Sequence, residues 1–206
     1  MKKLIKYLAI VLFIAISLYN SIYIKDLDEI KAEKSKTSFN SKVFASEFIE
    51  NKVSDLKAIE ALGFLNEISK NVKSYSETHG NKLGISNDYY FIIYGNATVL
   101  TIEDEDVVVA LAKSQQKLKI AIDFIFGNAI REGAKMANIG DYQNTMDYNN
   151  ISVEINNLVR ENIVPPFRRS VKIGDSIYFK GAVRVNVLKQ KNDTLRVIPL
   201  QLNIKS

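Results

Sequence analysis

Hydrophobic and polar positions along the chain fall into three regimes. The first is a continuous apolar run, Leu8 to Ile16, preceded by Lys2, Lys3 and Lys6 and free of charge from Tyr7 to Ile24. An apolar run behind a basic flank predicts either a signal peptide ending near Ala15-Ile16-Ser17 or an uncleaved signal anchor. The anchor is the preferred reading. Counting on through Leu18, Tyr19, Ile22 and Tyr23 approaches the ~20 residues of a spanning helix, and Tyr19 and Tyr23 stand where an interfacial aromatic belt belongs. The lysines then hold the N-terminus in the cytoplasm, giving a single-pass protein of the cytoplasmic (inner) membrane whose C-terminal part faces the periplasm or outside. A buried core helix is the bland alternative. Residues 25–38, KDLDEIKAEKSKTS, read as a solvated stalk.

The second regime steps by three or four. Leu56, Ile59, Leu62, Leu65, Ile68, Val72 and Tyr75 mark one helical face, and an earlier helix around Val43, Phe44, Phe48 and Ile49 pairs with it. Together they predict a small helical subdomain, residues 39–84, closed by the loop Thr78-His79-Gly80-Asn81.

The third regime is strand-like. Tyr89 to Tyr94 and Ala97 to Ile102 predict one long strand bent at Gly95. The acidic cluster Glu103-Asp104-Glu105-Asp106 reads as a solvated hairpin tip before Val107 to Ala112. Leu118, Ile120, Ile122, Phe124 and Phe126 alternate with their neighbours as in a half-buried strand. A helix follows from about Ile151, capped by Asn149 or Asn150 and ended by Pro165-Pro166. Two more strands close the chain, and their parity shifts near Pro199, which predicts a bulge or an edge position. Three strands, a helix, then two strands is the order of an OB-like five-stranded β-barrel with a helix between strands three and four. The chain is therefore expected to be α+β: an N-terminal transmembrane helix (1–24), the stalk, the helical subdomain, and an OB-like barrel domain (85–206).

Charge changes this picture little. The net charge is +5, but three lysines precede the apolar run and every acidic residue follows it. The remainder holds 25 basic against 23 acidic residues, a net of +2, so no nucleic-acid partner is indicated. With no cysteine and a single histidine, His79, the chain offers no disulfide, thiolate metal site, acylated cysteine or His-based triad. No Gly-rich phosphate loop or nucleophile elbow occurs. No catalytic residue, cofactor or metal site is nominated, and the expectation is that the chain is not an enzyme.

Two weaker candidates remain. Arg131, Glu132, Asp141, Asn144 and Asp147 concentrate polar groups between the third strand and the helix. They predict either a ligand site or ion-paired and turn-capping structural residues. Tyr89, Tyr90 and Tyr94 predict either a stacking face for a sugar or base, or packed core. A ligand-binding OB module for a glycan or small molecule would use strands two and three, Val107 to Phe126.

The runs FGNAIREG, DYQNTMDYNNISVEINNLVRENIVPPF, VKIGDSIYFKGAVRVN and IPLQLNI, with SKVFASEFIENKV and YYFIIYGNATVL upstream, carry a resemblance over about residues 38–204. The chain resembles domain-of-unknown-function family 2291, bacterial predicted periplasmic lipoproteins that often accompany sugar ABC transporters. The resemblance implies an OB-like barrel outside the cytoplasmic membrane. It implies no known activity, and together with the anchor and the absent catalytic constellation it leads to the expectation of a non-catalytic accessory or adaptor linked to sugar ABC transporter components. The missing cysteine departs from the lipoprotein pattern, and a membrane anchor would be an adequate substitute.

Overall fold

The computed structural model of the chain describes residues 2–21, 39–142, 144–188 and 194–205. It divides into two units, residues 1–39 and 40–206. Helix α1, Lys2–Ser21, is the described part of the first. Leu8, Val11, Leu12, Phe13 and Ile16 are all exposed, so its apolar residues face every direction. Between Tyr7 and Ser21 its charge-free length is about 22 Å at 1.5 Å per residue, shorter than a hydrocarbon core of about 30 Å. Among the described residues no helix is long and apolar enough to cross a membrane. The expected transmembrane helix is therefore not found among them, and its counted extension through Ile22, Tyr23 and Ile24 lies outside the described residues. The stalk lies outside them too.

In the second unit, Asn40 opens helix α2, Ser41–Asn51, by accepting hydrogen bonds from Lys42 N and Val43 N, as an N-cap should. Ile59 and Glu60 form a short strand, β1. Helix α3, Ala61–His79, then starts because the Glu60 carboxylate accepts from Gly63 N. Ile59 therefore belongs to a strand and not to the helical face predicted for it. A kink at Asn71, whose side chain accepts from Ser74 N, restarts α3 for its last two turns. His79 ends this helix and is not in a loop. Helix α2 packs mainly on a later helix, α5 (Thr145–Leu158), and not on α3 as the sequence suggested.

The sheet has seven strands among the described residues. After β1 come β2 (Asn81–Lys82), β3 (Asp88–Ile102), β4 (Asp106–Leu111), β5 (Lys117–Ala121), β6 (Ser176–Asn186) and β7 (Arg196–Lys205). Strand β3 is long enough to serve two sets of neighbours. Its first half pairs with β1 and β2, its second half with β4, and Asp88 to Thr98 with β6. The path β3-β4-β5-β7-β6 returns to β3, so five strands close into a barrel, with a parallel seam between β5 and β7. At Gly95 a Cβ would lie 3.3 Å from Ala61 Cβ and 3.4 Å from the Phe179 ring. The glycine thus lets α3 and β6 approach at the expected bend.

Between β5 and β6 lie α4 (Ala129–Ala134), α5, a π-type turn (Val159–Ile163) and α6 (Val164–Ser170). Helix α5 begins earlier than predicted, capped by Asn144. Pro165 and Pro166 fall in the first turn of α6 and open a helix where the sequence suggested an end, since proline's fixed φ and missing N–H suit that turn. The alternation in Lys117 to Phe126 stops at Ala121. Phe124 has φ +46°, Ile125 is buried, and Phe124 and Phe126 are exposed.

Candidate functional site

The residues of the two sequence candidates lie in different surroundings. Arg131 and Glu132 on α4 are only 2% and 3% exposed. Arg131 Nε donates to Glu132 Oε1 at 2.9 Å and its NH1 donates to Tyr148 O at 2.7 Å. The guanidinium also lies 3.6 Å from the centre of the Tyr148 ring. Tyr148 OH donates to Glu132 Oε1 at 2.8 Å, and Asn81 Nδ2 donates to Glu132 O at 2.8 Å. Burial, followed by that bond to Glu132, pushes the Tyr148 hydroxyl up to about 12. Each group in this cluster is already answered by another protein group, so it offers a ligand nothing.

Asn144 and Asp147 bond to each other at the start of α5, where Asn144 Oδ1 caps Asp147 N at 2.8 Å. Asp141 accepts from Asn138 Nδ2 at 3.3 Å on the surface. Tyr89 and Tyr90 are buried and Tyr94 is exposed. Because successive strand residues face opposite sides, Tyr89 does not share a face with Tyr90 and Tyr94. Lys82 Nζ sits 5.3 Å over the Tyr89 ring, and Tyr94 faces Tyr178 at 6.5 Å.

A cleft of about 600 Å³ opens elsewhere, among residues that no sequence pattern singled out as a set. Its walls are the segment from Asn51 to Ile59, His79 at the end of α3, Tyr90 to Ile92 of β3, and Gly133 to Lys135 after α4. Each wall is positioned by a specific contact. The segment from Val53 to Leu56 is gripped by Lys180 of β6, which is 6% exposed and donates Nζ to the carbonyls of Val53, Ser54 and Leu56 at 2.9, 2.9 and 3.4 Å. Gly133 brings α4 against β3, where a Cβ would lie 3.0 Å from Phe91 O. Lys135 follows in the left-handed region and caps α4. On the remaining side the rings of Phe64, Phe91, Tyr75 and His79 form a chain, with centroids 4.9, 6.1 and 4.6 Å apart in turn. Burial raises the Tyr90 hydroxyl above its ordinary value, with Asp88 adding to the effect.

The lining combines apolar surface with Lys52, Lys57, Lys135, His79 and a single carboxylate, Asp55. Apolar wall segments and polar side chains thus share the lining, which makes this concavity the candidate site. Among the described residues no group of histidines and carboxylates could hold a metal ion. Lys52 and Lys57 lie together after α2 and Lys135 is distant in sequence, so no local motif announces the three as a set. They meet only because α2, β3 and α4 converge.

A closed five-stranded barrel with helices between its third and fourth strands defines an OB-fold protein. A crystal structure of an OB-fold protein from Thermotoga maritima is similar, with TM-score 0.73 and 23% identity, over 82% of this chain and 100% of that one. The chain belongs to the family described as predicted periplasmic lipoprotein (DUF2291), which it matches over residues 12–203. No functionally curated protein matches it.

Proposed function

We propose that this chain is a non-enzymatic accessory protein of the cell envelope, held at the cytoplasmic membrane by its apolar N-terminal segment, whose barrel unit binds a small ligand in the cleft. The carrying observation is the cleft itself, a concavity lined by apolar wall segments together with polar and charged side chains. A single carboxylate, Asp55, lines it, so the carboxylate pair of a glycosidase is not present there. Thermal unfolding of the full chain with panels of sugars, cell-wall fragments and metabolites tests the reading. A ligand raises the midpoint by mass action, and Ala58→Trp, which fills the cleft, abolishes that rise. A panel without effect, or a rise that survives the substitution, overturns it.

Membrane attachment is supported by a helix apolar on all sides in a chain with no cysteine to carry a lipid. Alkaline carbonate washing of membranes should leave the chain in the pellet, and Leu12→Lys with Ile14→Lys should release it. Retention of that double variant would overturn the role of the segment. A link to sugar ABC transport is supported by the family resemblance. Co-purification of a permease or ATPase component with the membrane-extracted chain is the expected result, and its absence across growth conditions would remove the link.

A further inference from the structure

We propose that the ligand of the cleft is a small organic anion, with a phosphate or carboxylate carried on a flat or apolar body. This rests on the reading that the cleft binds a ligand at all. The argument starts from charge. Three lysines line the cleft, Lys52, Lys57 and Lys135, against one carboxylate, Asp55. The lysines thus surround a concave place whose apolar walls focus their field. Lysine ammonium groups act as point charges for phosphate and carboxylate oxygens. The body of the ligand meets a different surface. His79 ends a chain of ring contacts through Tyr75 to Phe91, and beside Ile59 it gives a wall suited to a planar or apolar group.

Calorimetric titration of the detergent-extracted full chain with glucose 6-phosphate, adenosine monophosphate, indole-3-acetate, inorganic phosphate and uncharged glucose tests the class. At least one organic anion should bind more tightly than both glucose and inorganic phosphate, and its affinity should fall as salt is raised. Lys57→Gln with Lys135→Gln should weaken that binding about tenfold or more. The control Lys172→Gln, outside the cleft, should not change it. An anion bound equally well by the double variant overturns the proposal. If glucose binds as tightly as its phosphate and Ala58→Trp removes both, the anion class fails while the cleft remains a binding site. If no probe binds, or Ala58→Trp leaves binding intact, both readings fail.

Discussion

Arg131 and Glu132 show what a polar pair costs when the chain buries it. Each loses its hydration, and the pair persists because Tyr148, Asn81 and the Tyr148 carbonyl satisfy the remaining donors and acceptors. Removing one partner strands the other charge, so Arg131→Ala or Glu132→Ala should each lower unfolding stability by about 3–5 kcal/mol. The double substitution Arg131→Met with Glu132→Leu should cost far less than the two single losses together, because no charge is left alone. Urea unfolding of the three variants measures the difference. Tyr148 adds a pH dependence. Its folded pKa of about 12 lies above the ordinary 10.0, so its stabilising effect is complete below pH 10 and is lost as pH rises toward 12. Tyr148→Phe should therefore unfold more easily at neutral pH, by about 1–2 kcal/mol for the lost hydrogen bond, and lose less stability than the native chain between pH 10 and 12. The sequence placed these residues near one another but not their burial. Adjacent charges on a short helix look the same whether they face solvent or the core.

At the scale of elements, period and parity read well, and ends and partners read poorly. The parity shift at Pro199 is a real bulge: Lys180 pairs with Gln201 and Gly181 with Pro199, leaving Leu200 as the extra residue. The alternative edge position does not hold, because β7 lies between β5 and β6. Glycine is required at 181, where a Cβ would lie 2.4 Å from Ile198 O. Gly181→Ala should cost about 1–3 kcal/mol through forced shifts in packing, read by thermal unfolding. The strand Lys117 to Phe126 was cut short because its alternation was local. Beyond Ala121 the backbone is taken by tertiary partners, with Ile122 N and Asp123 N bonding Glu105 O, and Arg160 and Asn156 holding the carbonyls of Ile125 and Gly127. Lys180 is the clearest case of an element placed from afar. Its ammonium ties β6 to the segment after α2, across 124 to 127 positions of sequence. Lys180→Met should free three carbonyls and speed amide exchange over residues 53–58. It should also weaken cleft ligands, because the wall bearing Asp55, Leu56 and Lys57 would lose its fixed place. Unchanged exchange there would show that the ammonium does not hold the segment.

At the scale of the whole molecule, the order of strands and helices was enough to name the barrel, because few topologies accommodate three strands, helices and two strands in one closed sheet. The cleft was not legible at this scale, since it depends on where α2 and α3 lie on the barrel and no periodicity encodes that. Closure itself has a narrow point. The parallel seam between β5 and β7 is registered only through Lys119 with Arg196 and Ile120 with Val197, whereas β3 pairs with β6 continuously from Asp88 to Thr98. Arg196 reinforces the seam from outside the backbone. Its Nε donates to Asp106 on β4, reaching past β5, and its other nitrogens donate to Asp123 O at 2.6 Å and Phe124 O at 3.2 Å. Asp106 is 7% exposed, so its carboxylate depends on that cation. Arg196→Gln should destabilise the fold by about 1.5–3 kcal/mol, the worth of a hydrogen bond to a charged group. The loss should be uneven. Exchange of the β5 and β7 amides should accelerate more than that of the β3 and β6 pairing, because the barrel opens first where fewest backbone bonds resist. Equal acceleration across all five strands would instead mean that the barrel unfolds as one piece and that Arg196 stabilises it without guarding the seam.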